Sequence, residues 1–502
     1  MSALVDSLFQ EILLACQRVY AVADATPLEM FRGPSLPFRL FLKREDLGPV
    51  KSYKWRGAYN RMALLSAAER GCGVVTASAG NHAQGVALAA SLLGVRARVF
   101  MPRSTPEVKR SAVAFLGGDF VEIVLQGDSF EEASHAAVAE ARETRRVFVH
   151  PYDDLQVMGG QGTLAVEIAK AAKAPFHAAV LQIGGGGMAG AVACWLKRQY
   201  PGILIIGVEG EGQASMAAAR AAGAPVALPH VDIFCDGTAV PRAGLVPFEA
   251  CEQLVDEYVT VTNGEVCWAM QNLWEGNRII TETSGAMGVA AALKIGERLR
   301  GWNVLAVLSG ANIDFGTLGY VTRNSNIGGA TRRHLRVRIA ERPGEFLRLL
   351  GGVFQGCNIV DLQYGRTDAA VAWYTVGVAI PDDALRAICR RLDAAGIAWE
   401  DVSGRADVAY RMIRYERALV RSPVFLNLDF YERPGALHDF LSEHVVTQEG
   451  DICYFDYTHT AERVGHALLG IEFGDGAARA RFLAALPSRG SGFRSCRVVT
   501  VA

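Results

Sequence analysis

Short apolar runs alternate with longer, Ala-rich stretches of helical character between about residues 40 and 310. Each run is bounded by Gly, Ser or Pro and is followed by ten or more residues of helical character. The runs are 73–75, 98–101, 178–183, 203–208 and 304–308. Strands separated by helices are typical of βαβ units, so the pattern predicts parallel sheet covered by helices on both faces. Ligands of such sheets bind beyond the carboxyl ends of the strands, and the loops that follow strands are therefore the candidate sites.

The pattern changes near residue 323. Residues 323–333 are polar, contain glycine and show no apolar period, so they are predicted to be a linker. Beyond them an alternating strand leads into Glu-Arg-Pro-Gly twice, at 341–344 and at 432–435. Both copies continue as helix, strand, strand, helix, strand, which predicts a βαββαβ unit written twice, over residues 334–420 and 421–502. A pair of dimerisation modules is an alternative interpretation of the same spacing.

The composition narrows the class of protein. The 502 residues are 50% hydrophobic, and 51 basic residues nearly balance 52 acidic ones. Such a chain buries a sizeable core and favours neither a nucleic acid nor an anionic membrane as its partner. The ten cysteines stand singly without a C-x-x-C pair, and the ten histidines show no metal-binding spacing. We therefore expect a cytoplasmic protein of about three domains, with no signal peptide, disulfide frame or metal site.

A glycine-rich segment, residues 183–190 (IGGGGMAG), ends a predicted strand and opens a helix. Several backbone N–H groups can point at one anion beside a helix N-terminus, so the segment predicts a phosphate site. Gly185, Gly187 and Gly190 also satisfy G-x-G-x-x-G, and Glu209 closes the next strand as the ribose-binding acid of a dinucleotide site would. From this loop alone, an NAD(P)-dependent dehydrogenase is a competing interpretation.

Residues 42–59 (LKREDLGPVKSYKWRGAY) combine charges with aromatic residues at the start of a predicted helix. Lys43 and Lys51 are expected to be solvated. Lys54 differs because it lies between Tyr53 and Trp55, where desolvation would lower its pKa. A lysine of lowered pKa can form a Schiff base and later act as a base, although an ordinary helix lysine is the alternative.

Two further loops follow predicted strands. Residues 76–82 (TASAGNH) offer the hydroxyl of Ser78 and the amide of Asn81, which suit a carboxylate or a ring hydroxyl. An ordinary helix N-cap is the alternative there. In residues 308–314 (LSGANID), Ser309 could meet the ring end of a ligand with a neutral hydroxyl, or could be a turn serine.

Taken together, these segments resemble a known family. The motifs KREDLGPVKSYKWRGAY, TASAGNHAQGVA, GGGGMAG, DGTAV, ETSGA and LSGAN stand in the order and spacing of the threonine deaminases, or threonine dehydratases. These are fold type II, tryptophan-synthase-β-like enzymes that use pyridoxal 5'-phosphate. The resemblance covers the whole chain, because the C-terminal pair is similar to the tandem ACT-like domain of the biosynthetic form. It implies an α/β catalytic domain of two doubly wound subdomains over 1–322, followed by two α+β ACT-like units.

The resemblance also assigns roles to individual residues. Lys54 would bind the cofactor aldehyde and act as the base, and Tyr53 would lie against the pyridine ring. Asn81 would hydrogen-bond the ring hydroxyl, and Ser309 would face the ring nitrogen. The phosphate would be held by Gly184, Gly185, Gly186, Gly187 and Met188. The substrate carboxylate would be held by Ser78, Ala79, Gly80, Asn81 and His82.

The implied reaction is the deamination of L-threonine, by β-elimination of water and hydrolysis, to 2-oxobutanoate and ammonia. The resemblance further implies that this reaction is the first step of isoleucine biosynthesis. It also implies that isoleucine would act as a feedback inhibitor at the C-terminal domain, with valine opposing it, and that the protein would be a homotetramer. Thr283 replaces the Pro that family members commonly have, so a serine dehydratase or a related eliminase is the alternative. Gly212 stands where related enzymes often have an Asp of a cation site, and no structural metal is predicted there.

Overall fold

In the computed structural model of this chain, the apolar runs of the first 310 residues form two sheets. The structure describes residues 2–328, 332–340, 345–355, 357, 359–364, 371–379, 382–403, 405, 421–431, 440, 444–445, 450–458, 464–486 and 493–500. The chain divides into two compact units, Met1–Ile313 and Asp314–Ala502. In chain order, the strands of the first unit are β1 Leu28–Met30, β2 Arg39–Arg44, β3 Val74–Ala77, β4 Ala97–Met101, β5 Val121–Leu125, β6 Val147–Phe148, β7 Ala178–Gln182, β8 Leu204–Gly210, β9 Glu257–Val261 and β10 Asn303–Leu308.

The larger sheet has the order β1-β2-β10-β7-β8-β9 and the smaller one the order β5-β4-β3-β6. All neighbouring strands are parallel except β1, which is antiparallel to β2. Every residue of β3, β7 and β10 is buried. Strands with both faces covered need apolar side chains on both faces, which explains their continuous apolar runs. The predicted α/β fold with two parallel-sheet subdomains is thus confirmed.

Helices connect these strands. They are α1 Ala3–Val19, α2 Lys54–Ala63, α3 Ala67–Cys72, α4 Asn81–Leu93, α5 Glu107–Gly117, α6 Phe130–Thr144, α7 Leu155–Ala171, α8 Gly187–Gln199, α9 Ser215–Ala222, α10 Leu245–Leu254, α11 Asn263–Asn277 and α12 Thr283–Lys294. Several begin at a residue whose side chain satisfies free N–H groups of the first turn. Asp154 accepts from the amides of Gln156 and Val157 at the start of α7, for example. Thr262 and Glu265 form a reciprocal capping box at the start of α11.

The core of the larger subdomain includes apolar residues of α1, α7, α8 and the central strands. The buried side chains of Val5, Leu8 and Ile12, spaced three and four residues apart, form one face of α1. They belong to one cluster with residues of α7 and β7 such as Met158 and Leu181. A second cluster joins α2 and α4 to the smaller sheet and includes the buried Trp55. Helix α2, which begins at Lys54, is therefore anchored by its apolar face.

A cluster of four buried ions, Lys43, Glu45, Arg56 and Glu167, joins β2, α2 and α7; we call it the ion cluster. The Lys43 side chain is fully buried, so the prediction that Lys43 is solvated is wrong. Arg56 donates to Glu45 at 2.8 Å and to Glu167 at 2.6 Å, and the Lys43 ammonium pairs with both carboxylates. Burial acts to raise the pKa of Glu45, but the charges of Arg56 and Lys43 outweigh it and hold that pKa below its usual value. Lys51, by contrast, is exposed as predicted.

The second unit contains helix α13 Phe315–Gly328 and two antiparallel sheets. The first sheet belongs to a βαββαβ unit of β11 Arg332–Ala340, α14 Glu345–Gly352, β12 Ile359–Tyr364, β13 Val371–Ala379, α15 Asp382–Ala394 and β14 Ala398–Asp401. The second is formed by β15 Val424–Tyr431, β16 Asp451–Thr458, β17 Val464–Glu472 and β18 Phe493–Val499, with α16 Gly476–Ala485 before the last strand. The orders are β12-β13-β11-β14 and β16-β17-β15-β18, so both sheets place their strands in the same sequence. This agrees with the predicted duplication, although both Glu-Arg-Pro-Gly segments lie outside the described residues.

The predicted linker, residues 323–333, differs from the structure. Helix α13 continues to Gly328, and strand β11 begins at Arg332. The helix starts upstream, where Asp314 accepts from the amide of Thr317 at 2.9 Å. Adding residues to an existing helix costs far less than nucleating one, so the polar residues that follow extend it without an apolar period of their own.

Two general features of the described residues bear on the class of protein. None of their helices combines the length and the apolar character that a membrane span requires. All ten cysteines are free thiols.

Candidate active site

A cleft opens at the carboxyl ends of β7 and β10, with about 490 Å³ of empty space when the adjoining solvent is included. This is the edge where ligands of parallel α/β sheets bind. Its lining comes from both subdomains. The lining residues are Tyr53, Lys54, Asn81, Tyr152, Gln182, Gly184, Gly185, Gly186, Gly187, Met188, Ala189, Gly237, Thr238, Val240, Glu282 and Ser309. The structure thus brings together all the residues for which the sequence predicts cofactor contacts.

Lys54 is the first residue of α2, and its side chain lies in the cleft. The ammonium nitrogen donates to the carbonyl of Pro151 at 3.0 Å and stands 5.5 Å from the centroid of the Tyr53 ring. Burial lowers the pKa of Lys54 to about 8, while the nearby carboxyl of Glu282 acts in the opposite direction. The neutral, nucleophilic fraction of the amine near neutral pH is therefore about a tenth, far more than for a lysine of ordinary pKa.

The turn that carries Lys54 is fixed to the end of β10. The amide of Tyr53 donates to the carbonyl of Ser309 at 3.1 Å, and Ser52 forms an isolated β-bridge with Gly310. Ser309 is buried at the floor of the cleft. Backbone contacts thereby join the segment of Lys54 to that of Ser309. The polar group that Ser309 can offer to a ligand is a neutral hydroxyl.

The tetraglycine loop, Gly184–Gly187, forms another wall. Helix α8 begins at Gly187, so the first amides of that helix have no intrahelical acceptor and are available to an anion. A Cβ atom on Gly185 would lie 2.2 Å from the Tyr152 ring, and one on Gly184 would lie 2.9 Å from Cα of Thr238. Gly186 has φ +94°, a conformation that L side chains rarely adopt. The loop lies against its neighbours so closely that only glycine fits.

Asn81, the first residue of α4, is bound on both sides. Its amide nitrogen donates to the two carboxylate oxygens of Glu282 at 2.8 and 2.9 Å. Its amide oxygen accepts from the side chain of Asn312 at 2.6 Å. Burial raises the pKa of Glu282 to about 7, with a further rise from Asp236. The amide of Asn81 is therefore held in one orientation beside a carboxyl that titrates near neutrality.

The predicted carboxylate-binding segment, residues 78–82, shares only Asn81 with the lining of the cleft. Ser78 accepts from the amide of Gly80, and the His82 ring donates to the carbonyl of Val149. Burial, mainly, lowers the pKa of His82 to about 3, which keeps this imidazole neutral. A Cβ atom on Gly80 would meet open space, so the free amides at the start of α4 can be approached there. The role of this segment stays a prediction.

Sequence reasoning gave no role to five polar residues of the cleft and its surroundings, one of them Thr238 of the DGTAV motif. Glu282 belongs to the ETSGA motif but was given no role, and Asn312 belongs to LSGAN. Tyr152 follows β6, a position at which loops of parallel sheets carry ligand contacts. Gln182 is the polar last residue of an otherwise apolar, buried strand. A polar residue at that position could have indicated from the sequence that Gln182 belongs to the site.

The dinucleotide interpretation of the glycine loop is wrong. Glu209 does lie at the end of β8, but its two carboxylate oxygens accept from the amides of Met216 and Ala217 at 2.8 and 2.9 Å. Both amides belong to the first turn of α9, so Glu209 stabilises a helix N-terminus and is not available to a ribose. Burial raises the pKa of Glu209 to about 7.

Gly212, which stands where related enzymes often have an Asp of a cation site, packs against Asp232. A Cβ atom on Gly212 would come within 2.5 Å of the Asp232 side chain. Among the described residues, no group of three His, Cys, Asp or Glu side chains is arranged to hold a metal ion.

The cleft combines a lysine of lowered pKa, a glycine loop whose free amides can face an anion, and a neutral serine at its floor. On an α/β fold of this kind, these features are typical of enzymes that use pyridoxal phosphate. The family described as pyridoxal-phosphate-dependent enzymes matches residues 22–310. The biosynthetic L-threonine dehydratase of Burkholderia multivorans is 39% identical over 93% of this chain and 94% of its own. The chain belongs to the biosynthetic threonine dehydratase family, and the resemblance seen in its motifs is confirmed.

Plant and structural relatives extend this match. The chloroplastic biosynthetic threonine dehydratase of Arabidopsis thaliana is 37% identical over 91% of this chain and 77% of its own. The solved processed form of threonine deaminase isoform 2 from Solanum lycopersicum is 41% identical, with a TM-score of 0.61 over 64% of this chain and 94% of that one. A second solved threonine deaminase, from T.th., is 32% identical, with a TM-score of 0.57 over 61% of this chain and 98% of that one.

The cofactor of this family is pyridoxal phosphate, and the residues present fit it. Amides at the start of α8, beside glycines that tolerate no Cβ, suit a phosphate. Lys54 supplies an amine for the aldehyde, and Tyr53 an aromatic face. Ser309 and Asn81 supply neutral polar groups for a pyridine ring and its hydroxyl.

We expect the Gly185→Ala variant to bind pyridoxal phosphate about 10- to 100-fold more weakly. Its Cβ would overlap the Tyr152 ring, so either Tyr152 or the loop must move. Relieving such overpacking costs about 1–3 kcal/mol. The dissociation constant, measured by fluorescence titration of the apoenzyme, checks this. The matched control is Gly202→Ala, because a Cβ atom on Gly202 meets nothing within 4 Å. Unchanged affinity in Gly185→Ala would contradict the placement of the phosphate in this loop.

Proposed function

We propose that this protein is an L-threonine ammonia-lyase, which converts L-threonine to 2-oxobutanoate and ammonia. The observation that carries the proposal is Lys54, whose amine of lowered pKa shares one cleft with the tetraglycine loop and Ser309. The threonine dehydratases that this chain resembles over more than nine-tenths of its length support the choice of substrate.

In this proposal Lys54 binds the cofactor and moves the proton. Pyridoxal phosphate, when bound, withdraws electrons from Cα of the amino acid and makes its proton labile. The Lys54 amine takes that proton as general base, which requires the neutral form that its lowered pKa supplies. The carbonyl of Pro151 orients the amine while it is free. The β-hydroxyl leaves with a proton as water, and the resulting enamine then takes up water to give 2-oxobutanoate and ammonia.

The remaining residues position the reactants. The amides of the tetraglycine loop and of Met188 hold the phosphate, and the amides at the start of α4 hold the substrate carboxylate. Ser309 offers the ring nitrogen a neutral hydroxyl, which does not stabilise a protonated ring as a carboxylate would. This arrangement favours elimination over amino-group transfer.

The test is the release of 2-oxo acid from L-threonine and, separately, from L-serine. Faster release of 2-oxobutanoate from threonine supports the proposal. Faster release of pyruvate from serine would instead assign the serine dehydratase alternative. Absence of both products from protein that carries the cofactor would refute the choice of substrate, while membership of the family would stand.

We also propose that the two sheets of the second unit are ACT-like units, over residues 334–420 and 421–502, that bind isoleucine, with valine opposing it. Their shared strand order supports a duplicated effector domain. The word biosynthetic in the relatives' names supports feedback by an end product. We further propose a cytoplasmic homotetramer. The ten free cysteines support the reducing compartment.

Removing the second unit, by ending the chain after Ile313, is expected to leave threonine deamination and to abolish the response to isoleucine. The boundary between the two compact units supports this end point. Two solved threonine deaminases support it as well, because almost their whole length matches a little over three-fifths of this chain. Initial rates with and without isoleucine, compared with the full chain, provide the measurement. Inhibition that survives in the shortened protein would place the effector in the first unit.

A further inference from the structure

Glu282 stands at the N-cap of α12, yet its side chain does not cap that helix. Its backbone amide donates to the carbonyl of Gly310 at 3.0 Å, which fixes it to the segment after β10. The carboxyl turns into the cleft instead. A Cβ atom on Gly310 or Gly237 would come within 2.6 or 3.2 Å of one carboxyl oxygen, so the space around Glu282 is fully used.

The hydrogen bonds of Glu282 fix the amide of Asn81. Both carboxyl oxygens lie within 2.9 Å of the Asn81 nitrogen, and one of them also accepts from the amide of Asn312 at 3.3 Å. The Asn81 oxygen is taken by the Asn312 side chain at 2.6 Å. An acceptor on one side and a donor on the other leave a single orientation for the amide. The two carboxyl oxygens lie close enough together to share one N–H of Asn81, and the second N–H is then available to a ligand.

These contacts also join the two subdomains. Asn81 begins a helix of the smaller subdomain, whereas Glu282 and Asn312 belong to the larger one. Lys109 of α5 and Asp236 form a second pair across the same boundary, at 2.7 Å. The orientation of Asn81 therefore depends on a residue from the opposite wall of the cleft.

We propose that Glu282 is a positioning residue, which holds the Asn81 amide so that its nitrogen donates to the ring oxygen of the cofactor. The ionisation state of Glu282 then determines how the hydrogens of the Asn81 amide are shared between the Glu282 carboxyl and the ring oxygen. An ionised Glu282 draws the Asn81 hydrogens towards itself and places a negative charge near the ring oxygen. A protonated Glu282 accepts more weakly from Asn81, through its carbonyl oxygen, and places no charge near the ring oxygen. The proposal rests on the proposed contact of Asn81 with the cofactor and is independent of which hydroxy amino acid reacts.

Several groups face Glu282 and determine where it titrates. Burial raises its pKa to about 7, Asp236 adds to the rise, and Asn81, Lys109 and Asn312 act to lower it. Lys54 lies in the same cleft. Removing the charge of Asp236 must therefore lower the midpoint of the titration, and removing that of Lys109 must raise it.

The experiment is a pH titration of the absorption spectrum of the holoenzyme without substrate. We expect a spectral transition with a midpoint near 7 in the unaltered protein. It should disappear in Glu282→Gln, which keeps the size of the side chain but does not ionise. In Asp236→Asn the midpoint should move down, and in Lys109→Met it should move up. Circular dichroism and the cofactor content of each variant check its folding.

Turnover provides the second readout. Loss of orientation in Glu282→Gln should lower kcat about tenfold or more while KM changes little, because the side-chain amide of Asn81 is the group that moves, whereas the proposed contacts of the substrate carboxylate are backbone amides. An unchanged spectral titration in Glu282→Gln would overturn the proposal, even if turnover fell. If that variant does not fold, equal midpoints in Asp236→Asn, Lys109→Met and the unaltered protein would overturn it.

The Asn81→Ala variant tests the contact of Asn81 with the cofactor separately from the role of Glu282. If its spectrum equals that of the unaltered holoenzyme, the contact of Asn81 with the cofactor is refuted, and the role of Glu282 falls with it. If only Asn81→Ala changes the spectrum, the contact stands and Glu282 has no part in it. A failure of the threonine assay with a normal spectral titration would refute the proposed substrate alone.

Discussion

The Lys54→Ala variant is expected to lose deamination of threonine by roughly four orders of magnitude. A general base alone contributes about 10²–10⁴-fold, and Lys54 is also the proposed attachment point of the cofactor. The fold should survive, because alanine favours a helix and the only hydrogen bond of the amine is to the Pro151 carbonyl among the described residues. Release of 2-oxo acid measures the loss, and circular dichroism with thermal unfolding checks the fold.

The neighbouring Lys51 offers a control of equal charge. Its side chain is exposed, and its φ of +56° is one that asparagine tolerates better than other substitutes. Lys51→Asn should therefore retain near-normal turnover and full cofactor content. Comparable rates in Lys54→Ala and the unaltered protein would refute the assignment of Lys54 and, with it, the proposed chemistry.

The second large effect concerns stability. We expect Arg56→Ala to lower the free energy of unfolding of the first unit by about 3–5 kcal/mol. Arg56 is fully buried and binds Glu45 and Glu167, and without it these two carboxylates share the single charge of Lys43. A buried charge that loses its partner costs more than the pair contributed. The shift of the urea unfolding midpoint measures the loss.

An exposed ion pair is the matched control for Arg56→Ala. Arg298 pairs with Glu257 at 2.8 Å, but the Arg298 side chain is 57% exposed. Its replacement by alanine should change stability by no more than about 1 kcal/mol. Equal effects of the two variants would show that the ion cluster does not stabilise the fold as argued.

The ion cluster also determines in which direction the stability of the fold changes with pH. The pKa of Glu45 in the folded protein lies below its usual value, because Arg56 and Lys43 outweigh the effect of burial. Its contribution to stability is therefore complete above the usual carboxyl pKa and is lost as the pH falls through the lowered one. Arg56→Ala should be correspondingly less sensitive to acid.

The parts of the fold that could be predicted are those written locally in the sequence. β7 and β10 are continuous apolar runs because both faces of a parallel strand are buried, and the glycine loop directly follows one of them. Lys54 and the glycines stand in short motifs whose chemistry needs few distant partners. These positions were found from their neighbours in sequence.

The errors and omissions arise where partners are distant in sequence. Lys43 looks like a surface lysine among charges, and its burial depends on Glu167, which is 124 positions away. Glu282 meets Asn81 across 201 positions, and no local pattern distinguishes its carboxyl from an ordinary N-cap. Helix α13 shows the same limit, since its start at Asp314 decides the structure of the polar residues that follow.

The ion cluster also limits how this sequence can drift. Two cations and two carboxylates that share one dry volume cannot be exchanged one at a time, because every single replacement leaves an unmatched charge. We expect Lys43, Glu45, Arg56 and Glu167 to be inherited as a set in descendants of this chain, or replaced together by a packed apolar group. We therefore expect these four positions, which lie far apart in the sequence of the first unit, to change together in evolution.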